Sequence, residues 1–202
     1  MNRLLKFLLC SALILSNTAI LHAMVGGCIP QEHTEQVSDT PNFEEELFIA
    51  IRAGDEQNIL NCLRHGVDVN IRNTDNMPAL ITAIHYAQSR IAGIFLLQPT
   101  IDVNSACARD GFTALMTATA LENMPMIHTL LAHANINVNA RDRRNVSALA
   151  IAIGQDALEI VCMLLAHRNA TGNFDTIIDE VALSYATPGS EIHRLLVNAL
   201  SR

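Results

Sequence analysis

The residues best suited to chemistry in this 202-residue sequence are its eight histidines and five cysteines. His65, His133 and His167 recur at one place, just after a run of apolar residues. A cation near the C-terminal end of a helix complements the helix dipole and can bond the last carbonyls. The recurrence therefore predicts the same structural role for each of these three histidines. If the three segments fold as similar units that stack, successive histidines would lie about one unit apart. They could then not share a metal ion, and we expect no metal site.

Catalytic patterns are absent from the sequence. It contains no His-Glu-x-x-His segment and no recognisable Ser-His-Asp or Cys-His arrangement. Its one Gly-Gly pair, Gly26-Gly27, lies in the N-terminal leader and does not form a phosphate loop. The acidic residues 44–46 stand where a first helix is expected to begin, and carboxylates there favour the helix dipole. We expect neither enzymatic activity nor a cofactor.

The composition limits the partners. The formal net charge is -7 and no basic run occurs, so the chain is poorly suited to nucleic acid or to an anionic membrane surface. Half of the residues are hydrophobic, yet tryptophan is absent and aromatics make up 4%. A core of Leu, Ile, Val, Ala and Met suits stacked helices better than strands, which favour aromatic and β-branched residues.

Residues 1–28 have the pattern of a secretory signal peptide. Arg3 and Lys6 precede an apolar run at 7–15, which is too short to span a bilayer because spanning takes about 20 residues. Two endings remain open. The leader is cleaved after Ala23, or the segment ending at Cys28 acts as a bacterial lipobox, which it resembles, and Cys28 carries a lipid.

Residues 29–42 are polar, charged and bounded by prolines, which is typical of a disordered linker. The leader and linker together predict an exported protein, secreted or periplasmic. It would touch a membrane only through a lipid on Cys28.

Three cysteines follow the linker, at long spacings and without a Cys-x-x-Cys pair. Cys62 and Cys162 lie inside apolar helical runs, where a free thiol usually packs as a small hydrophobic group. We expect both to be buried and, with Cys107, to form no disulfide.

Self-similarity predicts the fold. The phrases VDVN, IDVN and INVN end at Asn70, Asn104 and Asn139, with spacings of 34 and 35 residues. Each follows an apolar helical run and precedes a turn and a second apolar stretch, and Pro78, Thr113 and Ser147 begin those stretches. Pro78 suits a first helical position, and Thr113 and Ser147 suit N-caps. Such a unit cannot bury its apolar face alone, but stacked copies can. The predicted repeats cover about 43–73, 74–108, 109–142 and 143–173, and a pair of capping helices covers 174–202.

These residues resemble the ankyrin repeat over roughly 43–173. The segment Gly111-Phe112-Thr113-Ala114-Leu115 carries the family's turn, and the first repeat matches at Leu47, Ala50, Gly54, Leu63, Gly66, Asp68, Val69 and Asn70. The family's histidine is replaced by Ile81, Met116 and Ala150, and its turn glycine by Asn76 and Asn145. Asn is the next-best residue at positive φ, so we expect the turns to persist.

The resemblance implies an all-α ankyrin-repeat solenoid of about four repeats. It also implies that the Asn ending each phrase ties its turn together through side-chain hydrogen bonds to the backbone.

The resemblance further implies where a partner binds. Ankyrin-like stacks contact proteins with the turn tips and the exposed side of each first helix, which line a concave face. Matched position by position, that face comprises Arg52, Thr74, Asp75, Met77, His85, Tyr86, Arg109, Asp110, Phe112, Ala120, Leu121, Arg143, Arg144, Val146 and Gln155. Met77, Tyr86, Phe112 and Leu121 would form an apolar stripe. In the alternative, Met77 and Phe112 tuck between repeats as part of the core.

Two classes of function follow. In the first, the chain is a monomeric, exported module that binds another protein, such as a secreted or surface effector of a host-associated bacterium. Lys6 is the only lysine, so a chain without its leader offers no lysine side chain for ubiquitin, which suits a host cytosol. In the alternative, the absence of lysine reflects drift of the lineage towards arginine. In the second, it is a lipid-anchored envelope spacer without a dedicated partner. Apolar side chains at solvent-facing repeat positions favour the first class.

The leader gives a direct test. A bacterium expressing the chain should remove its first 23 to 27 residues, as N-terminal sequencing would show. If Cys28 carries a lipid, Cys28→Ala should release the protein from the membrane fraction and abolish fatty-acid labelling. Wild-type protein without label would instead indicate cleavage after Ala23.

Overall fold

The structure is a computed structural model, and it describes residues 42–171, 184 and 186–200. The chain divides into two units, Met1–Asp39 and Thr40–Arg202. The first unit lies outside the described residues, and so do the predicted leader and almost all of the linker. The first predicted capping helix also falls outside them for most of its length.

Within the described ranges the chain is all-helical, as the sequence predicted. The only strand-like pairings there are two isolated bridges, Arg72 with Pro78 and Arg141 with Ser147. None of the helices described is long and apolar enough to cross a membrane. The helices are α1 Phe43–Ala53, α2 Glu56–Arg64, α3 Ala79–His85, α4 Ser89–Leu96, α5 Ala114–Ala120, α6 Met124–Leu131, α7 Ala148–Gly154, α8 Leu158–Thr171 and α9 Glu191–Leu200.

The first eight helices form four pairs, one for each predicted repeat. In each pair the first, inner helix packs against the second, outer helix. The inner helices also pack on one another in chain order, α1 on α3, α3 on α5 and α5 on α7, while α2 contacts α4. Helix α9, the second predicted capping helix, packs against α8.

Three of the four inner helices, α3, α5 and α7, are short and largely buried. In α3 the buried residues run from Ala79 to Ile84, and in α5 from Ala114 to Thr119, which is all but the last residue of each seven-residue helix. A helix of two turns is unstable alone in water. Contacts with the neighbouring repeats therefore hold these helices in place.

Two of the inner helices begin at the predicted caps. The hydroxyl of Thr113 accepts a hydrogen bond from the Met116 amide at 3.3 Å. The hydroxyl of Ser147 accepts one from the Ala150 amide at 3.2 Å. Each bond satisfies an amide that has no partner inside its own helix.

Pro78 differs from the prediction, because it is the N-cap of α3 and not its first helical residue. Its ψ of 147° is extended, so the helix begins at Ala79. A proline ring cannot accept the capping bond. The Thr82 hydroxyl instead donates to the Pro78 carbonyl at 3.0 Å, inside the first turn.

The hairpin turns before the inner helices have the predicted backbone. Asn76 and Asn145 have φ values of 58° and 65°, and Gly111 has 86°. We number each hairpin by the repeat whose inner helix it precedes: the second closes between Asn73 and Met77, the third between Cys107 and Phe112, and the fourth between Asp142 and Val146. The third hairpin is one residue longer than the other two. The Cys107 amide bonds to the Phe112 carbonyl, five residues on, whereas the Asn73 amide reaches Met77, four residues on.

The longer third hairpin brings Gly111 against the fourth. A Cβ on Gly111 would lie 2.9 Å from the Arg143 backbone nitrogen. Glycine is therefore required there by space as well as by φ, and an Asn would not fit without a backbone shift.

A second set of left-handed residues follows the inner helices, and sequence reasoning missed it. Ala87, Glu122 and Asp156 have φ between 51° and 57°, and Gly54 occupies the equivalent place in the first repeat. A side chain in this conformation costs about 1–2 kcal/mol. The tight link between inner and outer helices imposes it three times.

Gly111→Ala should lower the free energy of unfolding by at least about 1 kcal/mol more than Gly66→Ala does. Both glycines have positive φ, at 86° and 84°, but a Cβ on Gly66 meets nothing within 4 Å. The matched pair thus separates the close approach from backbone strain. Urea unfolding followed by circular dichroism measures both, and equal losses would contradict the clash.

Candidate functional site

The side chains of Asn70 and Asn104 join neighbouring repeats by hydrogen bonds. The Asn70 amide donates to the Thr100 carbonyl at 2.8 Å, and its oxygen accepts from the Asp102 backbone nitrogen at 2.8 Å. Asn104 repeats this pattern with Asn135 and Asn137, at 2.7 and 2.8 Å. The prediction of side-chain bonds to the backbone was right in kind. It was wrong in place, because the backbone partners belong to the next repeat and not to the same turn.

Arginine side chains join neighbouring hairpins. The Arg72 guanidinium donates to the carbonyls of Asn76 and Ala106, at 3.0 and 2.9 Å, and to the Ser105 hydroxyl at 2.7 Å. Arg72 thus links the second hairpin to the third.

The third and fourth hairpins are joined in a similar way. The Arg143 amide donates to the Asp110 carbonyl at 3.0 Å, and the Arg143 guanidinium donates to the Ala108 carbonyl. The three hairpins consequently form one continuous hydrogen-bonded edge of the stack.

Short acceptor side chains fix the shape of each tip. The Asn73 side-chain oxygen accepts from the Asp75 and Met77 amides at 3.0 and 2.9 Å. Asp142 does the same for the amides of Arg144 and Val146, at 2.9 and 2.7 Å. In the third hairpin, Asp110 accepts from the Phe112 amide at 2.9 Å.

Six of the predicted binding residues lie exposed at these tips, and we call them the tip row: Thr74, Asp75, Arg109, Asp110, Arg143 and Arg144. Arg144 forms an ion pair with Asp142 at 3.3 Å, although its side chain is 74% exposed and the aspartate side chain is fully buried. Arg109 makes no side-chain hydrogen bond or ion pair with any described residue.

A second row lies at the other end of the inner helices. The helix-end row comprises Arg52, His85, Tyr86, Leu121 and Gln155, all exposed. Tyr86 is 46% exposed and Leu121 is 48% exposed, and each directly follows its inner helix.

Neighbours hold parts of the helix-end row. Gln155 occupies the place in the fourth repeat that Leu121 occupies in the third, and its amide donates to the Ala120 carbonyl at 2.9 Å. Ala120 itself is only half-exposed. The ring of His85 meets that of Tyr86 edge-on, with centroids 5.4 Å apart.

The predicted apolar stripe is narrower in the structure. Met77 and Phe112 are half-buried and pack against the core, and Val146 is half-buried as well. Each stands directly before the N-cap of an inner helix. The exposed apolar surface of the two rows therefore consists of Tyr86 and Leu121.

The repeated histidines occupy three different settings. His65 caps α2 and stacks on Phe43, with ring centroids 4.2 Å apart. His133 follows α6, and its Nδ1 accepts from the Asn135 amide at 3.3 Å. His167 departs from the prediction of a helix end, because α8 continues to Thr171. The described residues contain no group of three side chains that could hold a metal ion.

The three described cysteines differ in burial. Cys62 and Cys107 are buried and free. Burial, and secondarily the nearby charge of Glu46, raises the pKa of the Cys62 thiol. Cys162 is free and exposed, so the prediction that it packs in the core was wrong. Its neighbours Val161 and Leu164 occupy the buried side of α8 instead.

Phe112→Ala should lower the free energy of unfolding by about 2 kcal/mol, because it removes a side chain packed against the core. Tyr86→Ala should change it by no more than about 0.5 kcal/mol, since surface substitutions rarely do more. Thermal unfolding of both variants makes the comparison. A large loss from Tyr86→Ala would place that ring in the core and remove it from the candidate site.

Comparison with known proteins adds the family. The family model described as ankyrin repeats (3 copies) matches the chain over two overlapping ranges, residues 47–142 and 94–178. The potassium channel AKT2/3 of Arabidopsis thaliana is 28% identical over 153 residues, which are 73% of this chain and 17% of the channel. The chain thus spans about a sixth of that relative's length. Since the ankyrin-repeat model covers well over half of the sequence and the structure is a stack of paired helices, this chain belongs to the ankyrin-repeat family.

Proposed function

We propose that this chain is an exported protein that binds another protein through the tip row and the helix-end row, and that it catalyses no reaction. Ankyrin repeats imply protein–protein interaction and are generally non-enzymatic scaffolds. The observation that carries the proposal for these two rows is the pair of exposed apolar side chains, Tyr86 and Leu121, at equivalent places in adjacent repeats.

The exposure of Tyr86 and Leu121 is not explained by packing. Tyr86 and Leu121 follow the inner helices α3 and α5, in which every residue but the last is buried. Equivalent places in the first and fourth repeats hold the small Ala53 and the polar Gln155, so the fold does not require a large apolar group there. Tyrosine is a frequent binding hot spot. A spacer domain without a partner would gain nothing from two such side chains in contact with water.

The export part of the proposal rests on the leader pattern of residues 1–28. Within it, the effector of a host-associated bacterium is the form that the absence of lysine after Lys6 favours. The alternative is an envelope scaffold anchored by a lipid on Cys28. Fatty-acid labelling that Cys28→Ala abolishes would support the lipid-anchored scaffold over the effector. The proposed binding surface is the same for both forms.

A pull-down tests the binding surface. The full chain, tagged at its C-terminal end, should retain a partner that the double variant Tyr86→Ala, Leu121→Ala loses. The loss of one true hot spot costs about 2 kcal/mol or more, which is about 30-fold in affinity, so the double variant should bind at least that much more weakly.

Leu97→Ala is the matched control for this pull-down. Leu97 is 83% exposed but follows the outer helix α4, away from both rows. It should retain the partner at wild-type strength. A partner held equally by the double variant, with its melting temperature unchanged, would place the binding site elsewhere on the chain.

A further inference from the structure

We infer that the partner presents an acidic segment, whose carboxylates meet the arginines of the tip row and whose apolar side chain packs between Tyr86 and Leu121. The inference rests on the proposed function and specifies the chemistry of the partner. It is carried by the unequal charge of the two rows and by how the charged groups are already engaged.

The arginines are concentrated at one end of the tip row. Arg109, Arg143 and Arg144 are exposed on the third and fourth hairpins, in a chain whose net charge is -7. The same two hairpins carry two carboxylates, of which only Asp110 is exposed. The Asp142 side chain is fully buried, and Asp110 accepts a backbone hydrogen bond within its own tip. Asp110 is exposed and keeps its charge, so these two hairpins present three exposed arginines and one exposed carboxylate in an otherwise acidic protein.

The guanidinium groups keep donors available. Arg109 has no side-chain partner among the described residues. Arg144 uses its Nε on Asp142, and Arg143 uses one terminal nitrogen on the Ala108 carbonyl. Since a guanidinium carries five N–H donors, most remain unused in all three. A carboxylate can accept two of them side by side, which is the strongest common form of this hydrogen bond.

Hydrogen bonds fix the backbone at Arg143 and Arg144 before any partner binds. The Arg143 amide donates to the Asp110 carbonyl at 3.0 Å, and the Arg144 amide donates to Asp142 at 2.9 Å. A surface fixed in advance loses less conformational entropy when a partner binds. The tip of the fourth hairpin is therefore better prepared for an anion than a free surface arginine would be.

The length of the inner helix sets the spacing within the partner. Helix α5, of seven residues, separates Arg109 and its hairpin from Leu121. At 1.5 Å per residue it is about 10 Å long. An extended peptide advances about 3.3 Å per residue. The carboxylates and the apolar side chain should thus lie at least about three residues apart.

A nucleic acid is less well matched to the same surface. Exposed carboxylates of Asp75, Glu122 and Asp156 lie within or directly beside the two rows. A phosphate chain carries a charge at every step and would pass these groups unfavourably. A polypeptide can place its acidic residues at the arginines alone and uncharged residues elsewhere.

Two synthetic peptides test the inference. One contains the unit Glu-Glu-Ser-Ser-Ser-Leu twice, and the other replaces every Glu with Gln. With fluorescein labels and anisotropy measured on the full chain, the acidic peptide should bind at least ten-fold more tightly. The difference should shrink as salt is raised, because exposed charges are screened. Equal binding of the two peptides, or binding of neither, would overturn the inference.

Arginine variants localise the effect. Arg109→Ala removes a cation that has no side-chain partner among the described residues, so it should leave folding intact and reduce the preference for the acidic peptide about three-fold or more. Arg64→Ala removes an exposed arginine from α2, on the outer helix, and should leave the preference unchanged. Equal losses from the two variants would show that overall charge, and not the tip row, selects the peptide.

Two further measurements complete the test. A labelled twelve-nucleotide thymidine strand should bind more weakly than the acidic peptide, and tighter binding would overturn the inference in favour of nucleic acid. Sedimentation should show a monomer, and a dimer dissociated by Arg109→Ala would assign the arginines to a second copy of this chain. Failure of these peptide tests leaves the pull-down result of Tyr86→Ala, Leu121→Ala standing, so the two proposals fail separately.

Discussion

The inner helices α3, α5 and α7 are too short to exist without their neighbours, and the rest of the structure depends on this constraint. Seven residues make two turns, fewer than an isolated helix needs in water. In α3 and α5 every residue but the last is buried. Helices α3 and α5 therefore gain their stability from the repeats before and after them. Stability in such a stack is shared between adjacent units, and a defect at one junction weakens both sides.

Polar contacts set the register in which the repeats meet. Apolar packing is non-directional, but the two bonds that Asn104 makes to Asn135 and Asn137 fix one relative position of neighbouring repeats. The hairpins add a second level of contact. Because the third hairpin is one residue longer, its Gly111 approaches the fourth hairpin at the Arg143 backbone. The same approach brings Arg143 to the edge where a partner is proposed to bind.

Features that depend on a residue and its own turn were predictable from the sequence. Thr113 caps its helix and Asn145 adopts positive φ, because both follow from local backbone geometry. Features that depend on another repeat were not. The partners of Asn104 lie more than thirty residues away, and the positive φ of Ala87 is imposed by the link between two helices. Cys162 lies in an apolar run wider than the side of α8 that is buried, so the sequence pattern could not show its exposure.

The candidate site divides in the same way. Tyr86 and Leu121 were correctly placed at the surface, because the repeat register fixes them at the ends of inner helices. The depth of Met77 and Phe112 depends on how closely the next hairpin approaches, which the sequence does not contain. Within the two rows, Arg143, Arg144 and Gln155 also bond to neighbouring residues of the stack, whereas Arg109 makes no such bond to a described residue. The proposal of an acidic partner depends on this difference, because the unengaged donors of Arg109 are available to a carboxylate from outside the chain.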